Sequence, residues 1–289
     1  LDITAVSFII PQNGRKYYIN LSKYQHVITL ETLEVNFPYK RNDEFIRSQM
    51  KKGMTAMEAK REDFQTNWKW EGKRFLLATR CMASMVERLM QPIKTDGCWK
   101  IGIDCVEEDE LEKPIMVGGE YELQFHLRFD DFFALDDSEK KKKTIEIIWD
   151  CLHLWEDQIP FDLQNVYAAC QKVKEMGYIN KINWKKPIRS PKYIAQFEIE
   201  HDVQSADFFV SIYDRKRNFI KRELLVSSKP HEREFYKYLG KTEWIAEDEI
   251  ALYSEDGQVF HLKSNEKMYA ILVTSFLGNL FFPRSVCPV

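Results

Sequence analysis

Three alternating acidic residues, Glu198, Glu200 and Asp202, form the pattern best suited to chemistry in this sequence. In an extended strand, side chains two residues apart project from one face, so the three carboxylates would stand together and hold a hard divalent cation. Asp207 lies near enough in sequence to join them. Such a site implies metal-assisted hydrolysis of a phosphodiester or ester, with water as the nucleophile. The competing expectation is a solvated sheet face neutralised by Lys and Arg from the next strand. The sequence favours that blander outcome.

Two further constellations carry less. Asp150, His153 and Asp157 would share a helix face, with Cys151 and Glu156 beside them, but Trp149, Leu152 and Trp155 interleave with them. That spacing suits a polar helix face better than a zinc site. Cys98 or Cys105 would need His126 as a base within hydrogen-bond reach, and cysteines in apolar runs are more often small buried hydrophobes. The sequence contains no Walker A, GxGxxG, GxSxG, HExxH or CxxC motif, and no cofactor is expected.

Charge runs and aromatics point instead to binding. Lys140 to Lys143 follows Ser138 and Glu139 at a helix start, where cations do not help the helix, and Arg215-Lys216-Arg217 sits in a hairpin turn. Each run could meet an acidic partner, though a solvated face is the commoner outcome. Trp184 beside Lys185 and Lys186 has the composition of a single-strand grip. Trp68 and Trp70 in a polar stretch, Phe132 and Phe133 after two Asp, and Phe281-Phe282 near the end of the chain look exposed. Exposed aromatics cost solubility unless covered by the chain's own second lobe, by another copy or by a different protein. These six residues are therefore the interface candidates.

The elements that must position these groups follow from periodicity. Ile3–Ile10 and Arg15–Leu21 flank Asn13-Gly14 as a hairpin, and residues 27–35 read as a half-buried strand with mixed faces. From Asn42 the period becomes helical, Thr55 and Glu58 match a capping box, and a third helix follows a loop at 67–72 and stops before Pro92. Residues 99–106 and 121–129 read as strands, 138–155 and 162–176 as helices. The basic stretch 183–191, with Pro187 and Pro191, reads as a linker. Beyond it come strands at 193–200, 208–213, 219–226, 244–253 and 258–262, with a short helix at 230–239. The expected architecture is α+β: a mixed lobe of strands and a helical block over 1–182, then a mainly antiparallel lobe over 192–289.

Composition bounds the rest. The net charge of −3, from 42 basic and 45 acidic residues, gives no global field for nucleic acid, so such a partner is not expected. The longest apolar run, about 14 residues near 269–282, is short of the ~20 needed to span a bilayer, and the first residues read as a strand. The expectation is a cytoplasmic protein with reduced thiols and no membrane contact. This profile, a soluble chain without catalytic motifs, is similar to that of phage-encoded anti-defence inhibitors such as the Gabija anti-defence proteins, and to toxin immunity proteins. The resemblance is one of profile and transfers no residue. Aromatic-rich candidate surfaces outweigh any catalytic constellation, so the expectation is a non-catalytic protein-binding protein, an inhibitor or immunity-type protein that covers a partner or locks its assembly, with homo-oligomerisation.

Overall fold

The computed structural model describes residues 9–12, 15–18, 28–263 and 269–271. The protein is an α+β mix, with strands and helices in its N-terminal part and antiparallel strands in its C-terminal part. It divides into two units, Leu1–Ile179 and Asn180–Val289.

In the first unit, strand alternation separates an apolar face from a charged one. β4 (Thr32–Asn36), β6 (Lys100–Val106) and β8 (Glu120–His126) run parallel in the order β4-β6-β8, and β7 (Ile115–Val117) closes the sheet antiparallel to β8. Leu33, Val35, Ile101, Ile103, Cys105 and Leu123 are buried. They belong to the face covered by α3 (Lys69–Leu89) and α5 (Asp137–Trp155), which also touch one another. The opposite parity places Glu34, Lys100, Asp104, Glu120, Glu122 and Gln124 together. Residues 28–31, read as part of the strand over 27–35, contribute only the two-residue β3 (Ile28–Thr29), paired with β5 (Lys94–Thr95). β1 (Ile9–Gln12) and β2 (Arg15–Tyr18) form a separate hairpin.

Helix starts follow the side chains available to cap them. Asn42 accepts from the Phe45 amide at the head of α1 (Asp43–Lys51), and Thr55 and Glu58 form the expected capping box of α2 (Ala56–Asp63). The loop expected at 67–72 is helical instead: a π-helical stretch, Phe64–Trp68, runs straight into α3. Gly72 serves packing there, since a Cβ on it would lie 2.5 Å from the Trp68 ring. α5 begins at a second capping box, Asp136 with Glu139, so its first turn is acidic and Lys140–Lys143 lie beyond it. α4 (Phe129–Ala134) precedes α5 and α6 (Gln164–Glu175) ends the unit.

The second unit joins two antiparallel sheets. The first has the order β12-β11-β10-β9, from β9 (Lys181–Arg189), β10 (Tyr193–His201), β11 (Ala206–Asp214) and β12 (Phe219–Ser228). The second is β13 (Lys241–Ala246), β14 (Glu249–Tyr253), β15 (Val259–Lys263) and β16 (Tyr269–Ile271) in sequence order. Phe197, Phe208 and Val210 share one core with Ile250, Leu252 and Leu262, closed by Phe235 of α7 (Glu232–Phe235) and by Tyr238. The stretch read as a linker is therefore strand β9, and the division falls before it, at Ile179. Pro187 misled because it lacks an N–H, yet β9 is an edge strand, where that loss is tolerated. The single strand expected at 244–253 is two, with a turn at 247–248.

Candidate docking site at an open sheet edge

Electrostatics on the charged sheet face begin with one lysine. Lys100 lies between Glu34, with which it makes a close ion pair, and Glu120, at 2.8 Å. Burial lowers its pKa, but the two carboxylates outweigh burial and raise it. Two rows further on, burial pushes the Asp104 pKa up, opposed by a hydrogen bond with Asn36 and assisted by Glu122. A face this polar cannot join the apolar core. The connection 107–114 instead passes over the carboxyl end of β8, where the Glu112 amide donates to Gln124 Oε1 at 2.8 Å and Nδ1 of His126 lies 3.1 Å from the Glu108 carbonyl.

That crossing, together with the segment after β4, encloses an open cleft of about 410 Å³ at the carboxyl ends of the parallel strands, the usual position for sites in such sheets. Phe37, Tyr39 and Phe129 supply aromatic walls, and Glu107, Glu110 and Glu112 supply an acidic lip. Phe37 and Phe129 have ring centroids 3.9 Å apart. Lys40 ties the two walls through an ion pair with Glu108.

A buried carboxylate braces the aromatic wall. Asp63 accepts from the Tyr39 hydroxyl, from the Asn42 amide at 2.9 Å and from Asn67 Nδ2 at 2.7 Å. Burial pushes its pKa up, and the three donors more than reverse this. Tyr39 is driven the other way, to about 12, first by burial and then by Asp63.

Beyond the cleft the chain enters β7. Ile115, Met116 and Val117 are 51%, 50% and 56% exposed, so neither face of this strand is covered. Its outer edge has no strand partner among the described residues. The turn behind it is fixed by Gly119, whose φ of +88° and whose approach to Trp99, 2.6 Å from a built Cβ, exclude any side chain. Trp99 is itself partly exposed and donates its indole N–H to the Gly118 carbonyl at 3.2 Å. Alternation did not reveal β7, because Ile115-Met116-Val117 follows Pro114 and is only three residues long.

The residues singled out by sequence fall elsewhere. Trp68 donates to the Phe37 carbonyl at 3.0 Å and packs on Phe64, with ring centroids 4.8 Å apart. Phe132 is fully buried against Phe75, and Phe133 is half-buried under the Arg74 guanidinium at 4.0 Å. These three are covered within their own unit, while Trp70 is exposed. Phe281 and Phe282 lie outside the described residues.

The carboxylates of the metal reading do not converge. Arg222 reaches Glu198 at 3.4 Å and Glu200 at 2.9 Å, and Lys181 reaches Glu200 at 2.7 Å. Burial raises the Glu200 pKa, and these cations lower it further than burial raises it. Asp202 turns away to accept from the Val203 amide, and Asp207 accepts from Ser227. Among the described residues no group of three or more His, Cys, Asp or Glu side chains is placed to hold a metal ion. His153 stacks on Trp149 and Tyr167 rather than converging with Asp150 and Asp157. Cys105 is buried on the core face while His126 is exposed, and burial raises the pKa of both Cys98 and Cys105, which keeps them as thiols. No family model, curated protein or solved structure matches the chain. Among the described residues no helix is long and apolar enough to cross a membrane.

Proposed function

We propose that this chain is a non-catalytic protein-binding protein that takes an extended, basic segment of a partner against the outer edge of β7. One observation carries the reading: the uncovered apolar strand Ile115-Met116-Val117 stands at a sheet edge, and the connection that leads into it carries five carboxylates, Glu107, Glu108, Asp109, Glu110 and Glu112, of which Glu108 is paired with Lys40. Open apolar edges are liabilities unless something covers them. An added strand would satisfy the free backbone groups, bury the three side chains at roughly 25 cal/mol per Å² of apolar area, and bring cations to the acidic lip. Such a chain would act by covering a partner's working surface, as an inhibitor of the anti-defence or immunity kind would. The metal-dependent hydrolase has no comparable support, because Arg222 and Lys181 already neutralise Glu198 and Glu200.

The test uses two labelled peptides, one alternating valine with lysine and one alternating valine with glutamate, read by fluorescence anisotropy. The lysine peptide is expected to bind, to weaken steeply with salt, and to be lost in Met116→Asp. Binding that ignores either the sign of the peptide or the Met116 substitution overturns the reading.

A further inference from the structure

Unit 2 carries a second open edge whose chemistry is the complement of the first. β12 ends its sheet, and among the described residues no strand pairs with its outer side. Phe219, Ile220 and Leu224 on it are 61%, 42% and 42% exposed. The turn leading into it presents Arg215, Lys216 and Arg217, all exposed. Its shape is preset. The Asp214 carboxylate accepts from the Lys216 amide at 2.8 Å, from the Asn218 amide at 2.8 Å and from Asn218 Nδ2 at 2.7 Å, while Arg217 takes φ +66°. A preset turn loses little conformational entropy on docking.

We infer that the basic, apolar strand fitting the β7 edge belongs to a second copy of this chain, which docks its β11–β12 hairpin and β12 edge against β7 and the acidic lip of the first. This rests on the protein-binding reading and names its partner. Phe219 and Ile220 match Ile115, Met116 and Val117 in character, and the tip cations, of which Arg215 also donates to the Ser190 carbonyl at 3.3 Å, are opposite in sign to the carboxylates of 107–112, of which Glu108 is paired with Lys40. The opposing charges are few: Lys113 and the paired Lys40 on the acidic side, Glu223 and the turn-forming Asp214 on the basic side. Each copy carries both surfaces, so the association is head-to-tail and adds copies until a ring closes. β7 has three residues and Pro114 precedes it, so few backbone bonds form. Assembly is therefore expected to depend on concentration and on salt.

Solution mass by light scattering, on the full chain over a range of concentration and salt, tests this with two charge-reversed variants. One is Arg215→Glu, Lys216→Glu, Arg217→Glu; the other is Asp109→Lys, Glu110→Lys, Glu112→Lys. All six positions are exposed, so unchanged melting temperatures serve as the folding control. The wild type is expected to gain mass with concentration in low salt, each variant alone to stay monomeric, and an equimolar mixture to regain the wild-type mass. A wild type that is monomeric throughout, self-association that survives either reversal, or a mixture that stays monomeric overturns the inference. Binding of the valine–lysine peptide by a monomeric chain would remove the second copy while leaving the β7 reading intact. Loss of both removes both.

Discussion

The two open edges differ in sign and in what holds them. β7 stands beside carboxylates and depends on contacts distant in sequence: Trp99 against Gly119, Lys100 between Glu34 and Glu120, and Asp63 behind Tyr39. β12 stands beside cations and is led into by a turn whose hydrogen bonds are local, from Asp214 to Lys216 and Asn218. The acidic edge is thus a product of the tertiary fold, and the basic edge of a hairpin. It follows that damage to the core should distort the first and spare the second.

The largest expected effect comes from Asp63→Ala. It leaves the Tyr39 hydroxyl, the Asn42 amide and the Asn67 amide without an acceptor, and hydrogen bonds to a charged group contribute about 1.5–3 kcal/mol each. A loss of about 3 kcal/mol is expected in denaturant unfolding of the first unit. Amide exchange should show β7 and the cleft wall opening faster, with β11 and β12 unchanged. Equal loosening of both edges would break the contrast. The sign with pH follows from the depressed pKa of Asp63. Its stabilisation is present above the unfolded value and is lost as pH falls through the folded one.

Asp104 runs the other way, with a smaller effect. Its folded pKa is raised, so the folded protein binds more protons than the unfolded chain between the ordinary value of 3.8 and the raised one. Its contribution is full below the unfolded pKa and is lost as pH rises through the folded pKa. Asp104→Asn keeps a polar group opposite Asn36 and removes the titration. The variant is expected to match the wild type in acid and to exceed it in melting temperature at neutral pH. A pH profile that keeps the wild-type slope would show that Asp104 is not the source.

The same difference decided what could be read from sequence. Helices were legible where a cap and an apolar stripe coincide, as at Thr55 with Glu58, because both signals are local. The strand read at 193–200, which is β10, and the basic turn at 215–217 were legible for the same reason. The fate of Glu198 and Glu200 was legible as the blander expectation, cations on adjacent strands, although which cations required the register that sets Glu200 opposite Lys181. By contrast, Trp68, Phe132 and Phe133 looked exposed because polar residues lie next to them in sequence, and rings from other segments cover them, Phe37 on Trp68 and Phe75 on Phe132 and Phe133. β7 went unseen because it takes its partner from β8 rather than from any alternation of its own. Parallel pairing of β4 with β6 and of β6 with β8 depends on long-range contacts that no local period encodes.

The smallest effect on stability, and the sharpest on the comparison, is expected from Asp214→Ala. The carboxylate is exposed to solvent and organises only its own turn through Lys216 and Asn218, which hold its pKa below the usual range. Removing it should barely move the melting temperature. It should nonetheless free the tip, because Arg217 is held in a left-handed conformation that a non-glycine residue adopts only when local hydrogen bonds favour it. Amide exchange of residues 215–219 is expected to quicken while β7 keeps its protection. If the tip docks preformed, self-association should weaken even though every cation and apolar residue remains. Unchanged assembly with a loosened tip would mean that charge, and not the preset shape of the turn, governs docking at this edge.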